Sequence, residues 1–132
     1  MIKELKVYPA IICHLEDTIV DVAKKMMKNS ARHIFVADSQ NHAIGIISGT
    51  DFTNKVIAEG KNPELLKAKD VMNAPVESID IKDEVEFAMA VMMRRKTYSC
   101  LVTDNGKIKG VVDYKSVMER IVKKITGENN GA

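Results

Sequence analysis

The chain has 132 residues, 45% hydrophobic and 29% charged, proportions typical of one globular domain or of two small repeats sharing a core. Twenty basic residues against 18 acidic ones leave a net charge of +2, which disfavours binding to nucleic acid through a basic face. No apolar run reaches the roughly 18 residues of a membrane span, and the first residues lack the apolar stretch of a secretory signal. With only two cysteines, we expect a cytoplasmic protein without disulfides.

The sequence repeats itself at an offset of 66 residues, which becomes 65 after one residue is lost in a turn. The matching positions are Pro9 and Pro75, Asp17 and Asp83, Met26 and Met92, and Gly45 and Gly110. Because one register persists through strand-like, helix-like and turn-like segments, we interpret the pattern as an internal duplication. The predicted organisation is a first repeat at 1–62, a second repeat at 63–127, and a flexible polar tail at 128–132.

Each repeat is predicted to have the order β-α-β-β-α. The first repeat has an extended piece at 10–13, a helix with apolar positions Ile19, Val22, Ala23 and Met26, strands at 34–37 and 43–47, and a final helix with Phe52, Val56 and Ile57. The second has an extended piece at 76–79, a helix with Val85, Ala88, Met89 and Met92, strands at 100–103 and 108–112, and a final helix with Val117, Ile121, Val122 and Ile125. Asp17 and Asp83 are the expected caps of the first helix in each repeat.

The doubled β-α-β-β-α order is accompanied by Asp-Val-Met-Asn-Ala-Pro-Val at 70–76, read as extended, and by Gly-Ile-Ile-Ser-Gly-Thr-Asp at 45–51. In this combination the sequence resembles the CBS domain family, and two tandem copies resemble one CBS pair, the Bateman module. The resemblance implies an α/β fold of the α+β type, in which two repeats pack pseudo-symmetrically and leave two clefts. It also implies that an adenosine-containing ligand occupies one or both clefts and reports the metabolic state of the cell.

The residues at 45–51 suit a nucleotide on their own chemistry. A buried strand is predicted to end at Ile47, and a helix to begin near Thr50 and Asp51. The hydroxyl groups of Ser48 and Thr50 suit phosphate oxygens, and the Asp51 carboxylate can accept both hydroxyl groups of a ribose. The same side chains are also typical helix caps, so capping alone is the alternative interpretation.

In the CBS arrangement, the motif of one copy faces the segment that leads into the other copy. The predicted ligand-binding residues of the competent cleft are Ile47, Ser48, Thr50, Asp51, Val71, Ala74, Pro75, Val76, Tyr98 and Ser99. The apolar residues would enclose a purine, and Tyr98 and Ser99 would approach the phosphates. Many family members have a basic residue at the phosphate side, so its absence here disfavours a triphosphate.

The second copy departs from the family pattern. Asp113 stands where a hydroxyl is expected, and Ser116 stands where the carboxylate is expected. An ionised Asp113 would repel a phosphate, and Ser116 cannot accept two ribose hydroxyl groups as a carboxylate does. We therefore expect a second, weaker cleft formed by Leu5, Ala10, Ile11, Arg32, His33, Asp113 and Ser116.

The first helix of the second repeat is apolar on nearly every side. The positions occupied in the first repeat by Asp21, Lys24 and Lys25 are occupied in the second by Phe87, Ala90 and Val91. A helix of this kind is either buried on all sides or covers a partner. We predict a homodimer through the Met-rich helices, with Phe87, Ala90 and Val91 at the interface, and CBS pairs commonly dimerise in this way.

The sequence has no phosphate-binding loop, no His-Glu-x-x-His run and no metal-ligand spacing. We therefore predict a non-enzymatic regulatory module that needs no cofactor or metal and binds AMP, ADP, ATP or S-adenosylmethionine. It would act on an effector domain or protein. The alternatives are a ligand-free dimerisation or scaffold module, a regulatory part of a larger enzyme or transporter, and a nucleic-acid-associated protein, which the charge balance disfavours.

Overall fold

The structure is a computed structural model that describes residues 1–127, and these residues form two compact units. The first unit is Ala10–Val76, and the second joins Met1–Pro9 to the chain from Glu77 onward. Each unit has its own three-stranded sheet with helices packed against it, which confirms the mixed α+β class. The tail predicted at 128–132 lies outside the described residues.

The first unit has a parallel and an antiparallel strand pair in the order β1-β2-β3. Its elements are β1 (Ile12–His14), α1 (Ile19–Lys28), β2 (His33–Ala37), β3 (Ala43–Ser48), α2 (Gly49–Asp51), a π-helical stretch (Phe52–Ile57) and α3 (Ala68–Val71). The central strand β2 is buried over four consecutive residues, and the inward face of α1 covers it with Ile19, Val22 and Met26. Apolar burial around β2 therefore forms the core of this unit.

The second unit repeats the same order around a sheet ordered β4-β5-β6. Its elements are a 3-10 turn (Ile2–Glu4), β4 (Ser78–Asp80), α4 (Val85–Arg95), β5 (Ser99–Asp104), β6 (Lys107–Asp113) and α5 (Tyr114–Thr126). Asn105 and Gly106 both have positive φ, at 51° and 81°, as the tight turn between two antiparallel strands requires. The six predicted strands agree with the observed strands to within two residues at each end.

Three local predictions differ from the structure. Thr18 caps α1 with its side chain, whereas Glu84 occupies the N-cap position of α4 without a side-chain capping hydrogen bond. Asp17 and Asp83 instead accept hydrogen bonds from the backbone N–H groups of His14 and Asp80, at 2.9 and 2.8 Å. Ala23 is exposed, so the buried face of α1 is narrower than its apolar spacing indicates. The segment at 70–76 is not extended throughout, since α3 occupies Ala68–Val71.

Val91 also differs from its prediction as a residue of the dimer interface. Its side chain is 3% exposed and belongs to the core of the second unit, because it lies three residues after the buried Ala88 on the inward face of α4. Phe87, at 50% exposure, and Ala90 do lie on the outer face of the helix. Val91 is therefore a core residue of its own unit.

Near its start, each repeat has a lead-in segment that belongs to the compact unit formed by the other repeat. The N-terminal lead-in (residues 1–9) pairs with the second unit, where Tyr8 and Val111 exchange two backbone hydrogen bonds of 2.8 Å. The central lead-in (residues 67–76) pairs with the first unit, where Ile46 and Asn73 exchange bonds of 2.9 and 2.8 Å. The compact units therefore do not follow the division at 62 and 63 that the duplication suggests, because each lead-in belongs to the unit built from the other repeat.

Both lead-ins pass close to a glycine at the same position of the repeat. A Cβ atom at Gly45 would lie 2.9 Å from Cβ of Met72. A Cβ atom at Gly110, where φ is +154°, would lie 2.6 Å from Cγ1 of Val7 and would overlap the backbone oxygen of Tyr8. A side chain at either glycine would push the lead-in away from its strand.

We expect Gly110→Ala to lower the free energy of unfolding by about 2–4 kcal/mol, because the overlapping Tyr8 atom is backbone and the φ angle is strained. Gly45→Ala should cost less, about 1–3 kcal/mol, because its φ angle is not strained, although Met72 Cβ can move only with its backbone. Urea unfolding measures both, and Gly49→Ala is the control, since no atom lies within 4 Å of its Cβ position. Equal losses for Gly110→Ala and Gly49→Ala would contradict this account of the lead-in.

Candidate functional site

The Ser48–Asp51 motif lies at the end of β3 and the start of α2. The Asp51 carboxylate turns back toward Ser48, and its Oδ2 accepts the Ser48 backbone N–H at 2.8 Å and the Ser48 hydroxyl at 3.2 Å. Asp51 is 8% exposed, so a charged group is held near the surface by hydrogen bonds from its own turn. These contacts are the ones that the capping interpretation predicts for the two side chains.

Two residues that the sequence analysis missed complete the surroundings of Asp51. The side-chain amide of Asn73, in the central lead-in, donates a 2.8 Å hydrogen bond to Oδ2 of Asp51. The Lys55 ammonium lies 3.4 Å from Oδ1 and donates to Asn73 Oδ1 at 2.8 Å and to the Val71 carbonyl at 2.9 Å. The spacing of four residues between Asp51 and Lys55 on one helical segment was the signal for Lys55. The sequence alone gives no comparable signal for Asn73.

The protonation of Asp51 follows from these contacts. Burial by itself raises the pKa of this carboxyl, but the Ser48 N–H, the Asn73 amide and the Lys55 ammonium outweigh it and hold the pKa below its usual value. Asp51 is therefore ionised at neutral pH, which is the state that can accept hydroxyl groups from a ligand.

The other predicted residues of this site are divided between surface, core and the second unit. Ala74 and Pro75 are exposed, joined by a cis peptide bond, and Val76 is half-buried, while Thr50 is exposed on α2. Ile47 and Val71 have side chains buried in the core of the first unit, so any ligand contact from them is limited to their backbone. Tyr98 and Ser99 belong to the second unit, and their part in the site stays a prediction.

The corresponding motif of the second unit has the opposite arrangement. Asp113 caps α5, and its Oδ1 accepts the Ser116 backbone N–H at 2.7 Å, so the carboxylate lies at the cap and the hydroxyl three residues later. Leu5 packs beside the core of the same unit. The remaining residues predicted for the second cleft, Ala10, Ile11, Arg32 and His33, belong to the first unit. Their meeting with Asp113 and Ser116 stays a prediction.

A sequence model of the CBS domain matches residues 2–58 and 68–123, which together cover most of the chain. The chain belongs to the CBS domain family. Two matches in tandem make it a CBS pair, as the duplication predicts. The match includes both hairpins and the start of the final helix of each repeat, so the motifs at Ser48–Asp51 and Asp113–Ser116 are the corresponding parts of two CBS domains.

Curated relatives match this CBS pair over part of their own length. An uncharacterized protein of Methanopyrus kandleri is 31% identical over 104 residues, which is 78% of this chain and 53% of the relative. A homoserine O-acetyltransferase of Methanococcus vannielii is 31% identical over 107 residues, which is 80% of this chain and 21% of the relative. The chain thus spans about half or less of these two relatives.

Solved CBS pairs have the same fold. The CBS domain pair of protein MJ0100, in complex with 5-methylthioadenosine and S-adenosyl-L-methionine, has a TM-score of 0.74 at 21% identity, covering 94% of this chain and 97% of that chain. The CBS domain protein PAE2072 of Pyrobaculum aerophilum, complexed with AMP, has a TM-score of 0.76 at 20% identity, covering 92% and 97%. At such identities the likeness establishes the fold of the CBS pair.

Three further features of residues 1–127 concern metal binding, the cysteine thiols and membrane spanning. No group of three or more His, Cys, Asp or Glu side chains in this range could hold a metal ion. Burial raises the pKa of the Cys13 thiol and of the Cys100 thiol to about 11, so neither is a thiolate at neutral pH. Within the same range, no helix combines the length and the apolar character needed to cross a membrane.

We expect Asp51→Asn to change how the stability of the protein depends on pH. The folded-state pKa of Asp51 is lowered, so its stabilising contribution is present above its unfolded-state pKa of about 4 and is lost as the pH falls through the folded value. The difference in unfolding free energy between wild type and Asp51→Asn should therefore shrink as the pH is lowered from 7 to 3. Urea unfolding at several pH values measures it, and a constant difference would contradict the assigned contacts.

Proposed function

We propose that this CBS pair is a non-catalytic regulatory module whose first unit binds an adenosine-containing molecule, AMP, ADP, ATP or S-adenosylmethionine. The observation that carries the proposal is an ionised, nearly buried carboxylate, Asp51, which is hydrogen-bonded to Asn73 of the central lead-in, and the exposed Ala74 and Pro75 follow Asn73 in the chain. A carboxylate next to apolar surface suits a ribose joined to a purine. The adenosine-containing ligands of the MJ0100 and PAE2072 complexes support the same class.

The two oxygens of Asp51 have unequal capacity for a ligand. Oδ2 already accepts three hydrogen bonds, whereas Oδ1 lies 3.4 Å from the Lys55 ammonium. A carboxylate offers about four acceptor positions. One ribose hydroxyl group is therefore accepted by Oδ1, and the other by Oδ2 after the Ser48 hydroxyl has left it. The Ser48 hydroxyl is the group that leaves, because its 3.2 Å bond is the longest of the three hydrogen bonds to Oδ2. The released hydroxyl of Ser48, together with that of Thr50, then donates to a phosphate or carboxylate group of the ligand.

The second unit is the weaker candidate. Its carboxylate, Asp113, already caps α5 at the position where the first unit has a hydroxyl, so a phosphate at that position meets a negative charge. Ser116 has one hydroxyl and cannot accept both hydroxyl groups of a ribose. A different anion or adenosyl compound is therefore the expected ligand of this second site.

Calorimetric titration of AMP, ATP and S-adenosylmethionine into wild type, Asp51→Ala and Asp113→Ala tests the proposal. Asp51→Ala should weaken the bound ligand by roughly 1.5–3 kcal/mol, the scale of hydrogen bonds to a charged group. Asp113→Ala is the matched variant in the other repeat and should leave the affinity unchanged or improve it for a phosphate. The reverse ranking would contradict the assignment of the first unit.

The alternatives give different results in the same experiments. If no adenosine-containing ligand gives binding heat or raises the unfolding temperature, the scaffold interpretation replaces the sensor. A ligand at about 100 times its dissociation constant should stabilise the protein by roughly 2.7 kcal/mol, which is readily measured. Binding of oligonucleotides alone, with a steep dependence on salt, would indicate the nucleic-acid interpretation.

We also propose that the module is a homodimer through the second unit. The outer faces of α4 and α5 carry large exposed apolar side chains, namely Phe87, Met93, Val122 and Ile125, with Ala90 beside them. The equivalent helix α1 carries Asp21, Lys24 and Lys25 on its outer face. A second copy of the same surface covers such a patch by two-fold symmetry, which places α4 opposite α4. In such a dimer, the proposed effector, whether it lies in the same polypeptide or in another protein, would contact two copies of the module.

Phe87→Glu should shift the protein toward the monomer. The two introduced carboxylates would lie close together across the two-fold axis, in an interface from which association removes water. Asp21→Lys on the equivalent helix is the matched control and should leave the assembly unchanged. Sedimentation velocity over a range of concentrations measures both. A wild type that is monomeric at every concentration, or a dimer that pairs α1 with α4, would overturn the proposal. Val91 is unsuitable for this test because it is a core residue.

A further inference from the structure

We propose that Lys55 and Asn73 are positioning residues, which hold the Asp51 carboxylate and the central lead-in in the geometry that an adenosine ligand requires. The inference rests on the proposed function and deepens it. It names the contacts that set the distance between Asp51, the proposed acceptor of the ribose hydroxyl groups, and the Ala74–Pro75 segment proposed to face the purine. Lys55 belongs to the π-helical stretch after α2, Asn73 to the lead-in, and Asp51 to α2.

The chemistry of the three side chains allows one arrangement of the amide. Lysine can only donate hydrogen bonds, and an ionised carboxylate can only accept them. Asn73 lies between the two, so its Oδ1 faces Lys55 at 2.8 Å and its Nδ2 faces Asp51 Oδ2 at 2.8 Å. Lys55 therefore fixes the orientation of the amide, and the amide fixes the orientation of the carboxylate.

Two sets of contacts attach the central lead-in to the elements that carry and flank Asp51. Asn73 exchanges two backbone hydrogen bonds with Ile46 on β3, and Lys55 donates to the Val71 carbonyl at 2.9 Å from the helical side. Ala74 and Pro75 follow Asn73 directly, so their position relative to the carboxylate depends on these attachments. Loss of Lys55 would remove one of them and leave the other.

Lys55 is a positioning residue rather than a ligand contact because its hydrogens are already used. Its ammonium group has three hydrogens and faces three acceptors, the Val71 carbonyl, Asn73 Oδ1 and Asp51 Oδ1. A phosphate that took one of these hydrogens would have to break a contact that holds the site together.

The second unit supports this assignment by contrast. Arg120 stands 65 residues after Lys55, at the equivalent position of the repeat, and pairs with Glu4 of the N-terminal lead-in. A basic side chain thus fastens the lead-in in both units. In the second unit, however, the position equivalent to Asp51 is Ser116, so the fastening does not include a carboxylate at that position. The three-residue network accordingly accompanies the motif that carries the ribose acceptor.

The test compares Lys55→Met and Asn73→Leu, which keep the side-chain volume and remove the polar contacts, with their double variant. Lys28→Met, which changes an exposed lysine of α1, is the matched control. Calorimetry with adenosine and with AMP should give roughly tenfold weaker binding for each single variant, equal for the two ligands, with 1:1 stoichiometry per site retained. The double variant should lose little more than either single variant, because the two residues act as one unit.

A second measurement separates positioning from a general loss of stability and does not need a ligand. Titration of the Asp51 carboxyl carbon by NMR should give a higher midpoint in Lys55→Met and in Asn73→Leu than in wild type and Lys28→Met. The groups that face Asp51 are Ser48, Asn73 and Lys55, and removing a cation or an amide donor raises the pKa of a carboxyl.

Each outcome decides one question. A wild type that binds none of adenosine, AMP, ADP, ATP and S-adenosylmethionine overturns the proposed function and with it the positioning role, whereas the NMR titration still tells whether the network exists. An unchanged Asp51 midpoint in both variants overturns the network itself. A raised midpoint with unchanged affinities overturns the positioning role alone. A loss of affinity for AMP but not for adenosine would make Lys55 a phosphate contact and overturn the proposal.

Discussion

The close approach of each lead-in to a glycine-bearing strand is the constraint on which both units depend. Tyr8 pairs with Val111 beside Gly110, and Asn73 pairs with Ile46 beside Gly45. At both glycines a Cβ atom would collide with the lead-in, so the backbone of one segment can lie against the other only because the side chain is absent. Each sheet thereby gains a segment from outside its own repeat, and the duplication yields two units that exchange parts of the chain.

The lead-in pairing also creates the candidate site. It brings Asn73 to Asp51, and Lys55 then ties both to the backbone at Val71. The ionised carboxylate closes the turn at Ser48 and also accepts a hydrogen bond from Asn73, the residue that directly precedes the exposed Ala74–Pro75 peptide. In the second unit Asp113 performs the capping part only, three residues earlier in the motif. Ser48 and Asp51 of the first unit correspond to Asp113 and Ser116 of the second, so the two CBS domains differ chemically at this turn.

The sequence determined the elements of secondary structure well, because these depend on neighbours within one or two turns. Apolar spacing located α1, α4 and α5, and the Asp104–Gly106 turn joined two strands as its residue types require. The wrong predictions also concern single residues within correctly located elements. Asp17 and Thr18 are both good caps, and only the path of the chain after His14 decides which of them faces the helix. Val91 was misplaced because a helix that is apolar on nearly every side does not itself indicate its inward face.

For the site, the sequence by itself determined the family resemblance, the Ser48–Asp51 motif and the difference between its two copies, since all three are patterns along a few consecutive residues. Only the tertiary structure decided which groups surround the carboxylate. Asn73 lies 22 residues from Asp51 and 18 from Lys55, and Tyr8 pairs with a strand of the other repeat. Contacts of this range depend on how the whole chain buries its apolar faces, because a hydrogen bond between distant residues forms only after that burial has brought their backbones together.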